Sequence, residues 1–265
     1  MRSVPKIYAA EIDGINAELI EVEADINVGL HSFNIVGLAD KAVSEAKERV
    51  NSALKNSGIK PPTKENRRIT INLAPADIKK AGSRFDLSIA LAYLIASDQI
   101  KDFETRDKLF VGELSLDGVL RPINGALNIA LLAKRKKIKY LFLPETNALE
   151  AAVIKEVRVI PICKLTDLID YLENRKIINA QVQTKVIPGF SSSFVSLSEI
   201  KGLPAAKRAL LVAAAGNHNL IFSGPPGTGK TMLAQSLISI MPPPTLEESV
   251  EITQIWSAAG LNSEM

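Results

Sequence analysis

The sequence has one cysteine, Cys163, so no internal disulfide can form and a secreted disulfide scaffold is excluded. It has two histidines, His31 and His218, and no Cys/His cluster with zinc spacing. Aromatic residues make up only 5% of the chain, so aliphatic side chains must build the core. No apolar run approaches the roughly 18 residues that a membrane helix needs. The start carries no apolar stretch behind basic residues, so no secretory signal is expected. A cytoplasmic protein with no membrane partner is the expectation. Charge of one sign is also missing: 32 basic side chains face 29 acidic ones, for a net charge of +3. That balance does not announce nucleic acid by electrostatics alone. The densest basic run is Lys134, Arg135, Lys136, Lys137 and Lys139. It reads as a helix C-terminus, where cations suit the macrodipole, or as a partner-binding patch.

The 265 residues have 46% hydrophobic and 23% charged residues, which is globular composition and room for about two domains. Ile7–Ile12, Leu19–Val28 and Phe33–Val36 read as strands, the first two joined at Gly14. Asp40 opens a helix, and Val43, Ala46, Val50, Ala53 and Leu54 mark its apolar face. Gly58 and Pro61-Pro62 stop it. Ile69, Ile71 and Leu73 alternate with polar residues as a half-buried strand, and Leu87–Ile95 is a buried helix. A hairpin around Asp117-Gly118 follows. Then come helix 126–136, strand 140–143, helix 147–154, strand 157–162 and helix 165–172. The expected fold class is α/β, with a mixed α+β domain over 1–173. Residues 174–193, with Pro188-Gly189 and Ser191 to Ser193, read as a linker. A second domain is expected over 194–265, with Ser198 capping its first helix and Asn219–Ser223 forming a strand. Cys163 is expected in the core, Trp256 packed, and His218 in a plain loop.

The strongest chemical signal is Gly224-Pro225-Pro226-Gly227-Thr228-Gly229-Lys230-Thr231. This is G-x-x-x-x-G-K-T between an apolar segment and a helical pattern, the context a phosphate loop requires. Glycines allow backbone N–H groups to approach phosphate oxygens closely. Lys230 reaches the β- and γ-phosphates, and the Thr231 hydroxyl can ligate Mg²⁺. A nucleoside triphosphate with Mg²⁺ is therefore the expected cofactor. Hydrolysis also needs a carboxylate from a neighbouring strand, yet no aspartate follows Asp170 and no arginine follows Arg208. The chain is expected to lack the later part of its ATPase module, the alternative being a non-hydrolysing product whose folded N-terminal domain serves only in assembly or binding, and no catalytic residue is assigned.

The segments Phe33–Leu38, Ile69–Asp77, Gly112–Gly118 and Ala213–Gly216 join the phosphate loop and Met241-Pro242-Pro243-Pro244 in one pattern. It resembles the magnesium-chelatase-related AAA+ family in its competence-protein branch, from near Tyr8 to Gly260. The resemblance implies an N-terminal Lon-protease-like (S5-type) domain and the first part of a P-loop AAA+ α/β domain. It also implies ATP with Mg²⁺, a homo-oligomeric ring such as a hexamer, and a DNA helicase role in natural transformation. Peptidase activity is not expected. Where Lon-like proteases place a catalytic serine this sequence has Arg84, with Ser83 one residue early, and where they place the lysine it has Leu127.

Overall fold

A computed structural model describes residues 4–64, 66–185 and 195–261. The chain divides into two compact units, Met1–Lys185 with Glu251–Met265, and Val186–Val250. Of the linker expected over 174–193, residues 186–193 fall outside the described residues.

The first unit begins with two long antiparallel strands, β1 (Lys6–Asp13) and β2 (Asn16–Val28), paired from Lys6↔Glu23 to Asp13↔Asn16 around the Gly14 turn. β3 (Ser32–Val36) lies parallel to β4 (Arg67–Ala74), and β4 is antiparallel to β2, giving the order β1-β2-β4-β3. The period-2 pattern sets the inner face: Ile20, Val22 and Ala24 of β2 and Ile69, Ile71 and Leu73 of β4 are all buried. Two helices cover that face. The shorter α1 (Lys41–Ser44) leads into α2 (Ala46–Asn56), which buries Val50, Ala53 and Leu54. The apolar helix α3 (Asp86–Ala96) is buried from Asp86 to Ile95. A helix surface that is apolar on nearly every side has this consequence, because each large apolar side chain gains about 1.5–3 kcal/mol by leaving water.

A second, parallel sheet has the order β5-β8-β9, from β5 (Lys108–Phe110), β8 (Tyr140–Pro144) and β9 (Arg158–Ile162). Between β5 and β8 run the hairpin β6 (Glu113–Leu114) and β7 (Leu120–Arg121), then helix α4 (Ala126–Arg135). Phe110 stacks on Phe142 at 4.7 Å, joining this sheet to the core. Helix 147–154 shrinks to a 3₁₀ turn and the four-residue α5 (Ala148–Ala151), and α6 (Leu165–Leu172) ends the run. Parallel strands with helical crossovers beside a mixed sheet make an α/β fold.

Asp40 caps α1 through Oδ1, which accepts from the Val43 N–H at 2.7 Å, and its Oδ2 accepts from the Gly82 N–H at 3.3 Å. Asp40→Ala is therefore expected to lower folding stability by about 1 kcal/mol, measured by urea denaturation. Asp40→Asn, which keeps the cap, should lose less.

The second unit is sparser. Its helices are α7 (Pro204–Gly216) and α8 (Lys230–Ser236), and its buried centre is Ile200, Leu210 and Leu233. Two expectations fail here. The first helix starts at Pro204, not at Ser198, because proline fits the first helical turn and lacks the N–H that a longer helix would need. Asn219–Ser223 forms no strand: a strand needs a partner, none of the described residues pairs with it, and Ile221 is 91% exposed.

Helix α9 (Leu246–Ala258) is the last helix among the described residues, and Glu251–Met265 groups with the first unit, whereas the second domain is expected over 194–265. Polar bonds explain the grouping. The Gly125 N–H donates to the Ser257 carbonyl at 3.0 Å, and the Gln254 Nε2 donates to the Ile15 carbonyl at 2.7 Å. Trp256 is 51% exposed, so it does not pack as expected: Ser257 is the buried residue of this helix.

Candidate functional site

The phosphate loop 224–229 connects the unpaired segment 219–223 to α8. Gly227 and Gly229 both take left-handed backbone conformations, with φ 80° and 81°. Nothing lies within 4 Å of where a Cβ would stand on either, so both open onto free space. Lys230 and Thr231 are the first two residues of α8. Lys230 Nζ folds back and donates to the Gly224 carbonyl at 2.9 Å and the Pro225 carbonyl at 2.6 Å. The Thr228 hydroxyl donates to the Pro225 carbonyl at 3.0 Å, closing the turn over Pro226. The structure thus brings Gly224, Pro225, Thr228 and Lys230 into one hydrogen-bonded loop. Thr231 and Pro226 are exposed, and the Thr231 hydroxyl has no hydrogen-bond partner among the described residues. An ammonium resting on two carbonyls is a cation held at the mouth of a backbone cradle. An anion there would compete for it with stronger, charge-assisted bonds. The donor set fits phosphate oxygens, and the exposed Thr231 hydroxyl is free to meet a divalent cation.

His218 lies in the loop after α7, where its backbone N–H donates to the Ala213 carbonyl at 3.0 Å and its ring is exposed. Cys163 is exposed rather than in the core. It follows β9 by one residue, and its thiol donates to Glu145 Oε2 at 2.9 Å. That bond and partial burial push the thiol up to about 11, so it is a poor nucleophile at neutral pH. Among the described residues no group of three or more His, Cys, Asp or Glu could hold a metal ion.

The stretch compared with a Lon-type dyad holds ion pairs that sequence reasoning missed. Arg49 makes a two-pronged bond to Asp86, with Nε to Oδ2 at 2.6 Å and Nη2 to Oδ1 at 2.9 Å. Asp86 Oδ2 also accepts from the Leu114 N–H at 3.1 Å. Burial pushes the Asp86 carboxyl up to about 6, against the pull of Arg49 and of the Leu114 N–H. Arg84 faces Glu11 at 3.5 Å, and Glu11 accepts from the Ala81 and Ile12 N–H groups at 2.8 and 2.9 Å. Burial holds the Glu11 carboxyl above its usual range. The Ser83 hydroxyl is bonded to Glu113 Oε2, and Leu127 is fully buried. Arginine at 84 and a buried leucine at 127 cannot take a hydroxyl proton, so a serine–lysine dyad has no base here. The charged partners sit 37 and 73 residues apart in sequence, at Arg49 with Asp86 and Glu11 with Arg84, which is why no local pattern reveals them.

Comparison with known proteins matches two segments to family models. Residues 22–147 match the description "Subunit ChlI of Mg-chelatase", and residues 196–265 match "Magnesium chelatase, subunit ChlI". The chain is 39% identical over 260 residues to competence protein ComM of Haemophilus influenzae, covering 96% of this chain and 50% of that protein. It is 39% identical over 250 residues to the uncharacterized protein YifB of Salmonella typhimurium, covering 94% of this chain and 48% of that one. A Lon protease of Azorhizobium caulinodans is 26% identical over 166 residues, 59% of this chain and 19% of the protease. The chain spans about half the length of the ComM and YifB proteins. With both segments matched and near-complete coverage by ComM and YifB, the chain belongs to the magnesium-chelatase ChlI-related family as a homologue of those two proteins.

Proposed function

We propose that this chain is an ATP-binding AAA+ protein of the ComM type whose complete form drives DNA strand exchange as a ring-shaped helicase during natural transformation. The observation that carries the reading is the Gly224–Thr231 loop, with Gly227 and Gly229 left-handed and open and Lys230 turned into the loop. In this reading the N–H groups from Gly227 to Thr231 and the Lys230 ammonium hold the β- and γ-phosphates. The Thr231 hydroxyl holds Mg²⁺, which supplies charge neutralisation across the phosphates when bound. Residues 1–173 act as a Lon-like scaffold without peptidase chemistry, and 194–265 are the opening part of the AAA+ module. A homo-oligomeric ring, a hexamer in the simplest case, and DNA are the partners this assigns.

Two observations favour binding without turnover by these 265 residues. Leu220 and Ile221 are 40% and 91% exposed, and none of the described residues pairs with the loop's lead-in segment to fix it. Ordering that segment consumes part of the contact energy. Within these 265 residues no aspartate or arginine follows the loop to orient water or stabilise transferred charge. Calorimetric titration with ATP·Mg²⁺ is expected to give binding weaker than about micromolar. A phosphate-release assay run alongside should stay at background. Steady phosphate release would contradict the reading of this chain as a binder that does not turn ATP over.

A further inference from the structure

The basic run at the end of α4 resolves into two groups. Lys134 and Arg135 serve the fold: Lys134 pairs with Glu156 at 2.8 Å, and Arg135 donates to the Ala17 carbonyl at 2.7 Å beside Glu18. Lys136, Lys137 and Lys139 are exposed, and the structure gives their side chains no hydrogen bond or ion pair among the described residues. They are not needed to cap the helix. The backbone does that alone: the Lys137 N–H donates to the Lys134 carbonyl at 3.1 Å and the Ile138 N–H to the Ala133 carbonyl at 2.8 Å. This arrangement puts Lys137 in the left-handed region at φ 57°, a position that glycine fills without steric cost. The chain thus holds a long cation where the backbone favours no side chain.

The neighbours extend the cluster. The Arg158 N–H donates to the Lys139 carbonyl at 2.8 Å, which sets the start of β9 beside the end of α4, with exposed Lys155 three residues before it. Arg158 stands over the half-buried Tyr140 ring at 5.8 Å. The nearby acids have cations of their own: Glu156 has Lys134, Glu18 has Arg135, and Asp107 has Lys108 at 2.8 Å. What is left is a surplus of positive charge on one short surface, built on rigid helix and strand ends.

We propose that Lys136, Lys137, Lys139, Lys155 and Arg158 form a contact site on the first unit for the phosphodiester backbone of DNA. The identity of the polyanion rests on the DNA reading above, while the site rests on cations that have no acidic partner among the described residues, Arg158 donating only to the Tyr140 hydroxyl at 3.4 Å. Four lysine point charges on flexible stems, with a single guanidinium held over Tyr140, suit a sequence-independent grip on phosphates.

The test uses the whole chain and fluorescence anisotropy with a labelled oligothymidylate and a labelled duplex across a salt series. The unmodified chain is expected to bind at low salt, with log affinity falling linearly against log salt. The K136A/K137A/K139A variant should bind at least about tenfold more weakly. Its slope should fall by about 2 on the single strand and about 3 on the duplex, as three lost phosphate contacts require. The K41A/K47A/K55A variant removes the same net charge from exposed lysines on α1 and α2, and should match the unmodified chain. Lys137→Gly alone should weaken binding while leaving the melting temperature no lower, an outcome that a purely structural lysine would not give. Binding by the unmodified chain reads the DNA reading and the first variant reads the site, so oligonucleotide binding that persists unchanged in that variant removes the site and leaves the DNA reading standing. No binding by the unmodified chain, an unchanged slope in the first variant, or equal weakening by both triple variants would overturn the proposal.

Discussion

Replacing Arg49 by alanine is expected to cost about 3–5 kcal/mol of folding stability at neutral pH, the cost of stranding a buried partner charge. Asp86 is fully buried, and Arg49 supplies two of its hydrogen bonds, at 2.6 and 2.9 Å, while also donating to the Ala42 carbonyl at 3.0 Å. The loss should depend on pH, and its sign follows from proton linkage. The Asp86 carboxyl stands at about 6 in the fold against an ordinary 3.8, because burial disfavours its charge. Without Arg49 the folded value rises further, since the strongest pull toward the ionised form is gone. Between the unfolded and folded values the native state keeps a proton that the unfolded chain has released. Stability therefore falls as pH rises through that window and levels off above it. Arg49→Ala should lose least near pH 5 and most near pH 8. Adding Asp86→Asn should recover much of the loss, because the stranded charge is then removed. Urea denaturation at several pH values reads this directly, and a loss independent of pH would contradict the ion-pair account.

Lys230→Ala is the second large effect, and it should fall on ligand rather than fold. A charge-assisted bond contributes roughly 1.5–3 kcal/mol, so ATP affinity should drop by about 10- to 150-fold. The ammonium bonds only to exposed loop atoms at Gly224, Pro225 and Thr228, so folding stability should change by less than about 0.5 kcal/mol. Thr231→Ala should separate the metal from the phosphates. It is expected to weaken binding when Mg²⁺ is present and to change little when the metal is chelated. Equal effects of Thr231→Ala with and without Mg²⁺ would remove Thr231 from the metal role.

Much of the first unit was legible because its elements carry their own periods. β4 alternates as Ile69, Ile71, Leu73, and α2 repeats as Val50, Ala53, Leu54, so local patterning and tertiary burial agree. Asp117-Gly118 announced the β6–β7 hairpin for a similar reason: the turn chemistry is local. The failures share a cause in non-local partners. Asn219–Ser223 has strand composition, but a strand exists only when something pairs with it. Cys163 ends an apolar run, yet the face it presents depends on the end of β9, and it meets Glu145 in the open. Trp256 lies on a helix whose bonds to the first unit run through Gln254 and Ser257, a preference for polar contact that hydrophobicity does not report. The ion pairs Arg49–Asp86 and Glu11–Arg84 depend on chain segments brought together only by the fold. The motif at 224–231 is visible in sequence because it lies in consecutive residues, and Gly227 and Gly229 take left-handed backbone conformations.

The most direct test of nucleotide binding at this loop is amide NMR of the isotope-labelled chain, titrated with a non-hydrolysable ATP analogue and Mg²⁺. The largest shifts are expected to gather at Gly227, Gly229, Lys230 and Thr231 and to saturate with the analogue, and Lys230→Ala should move saturation to roughly 10- to 150-fold higher analogue. Shifts absent from this loop at saturating analogue, or centred on the first unit instead, would contradict it.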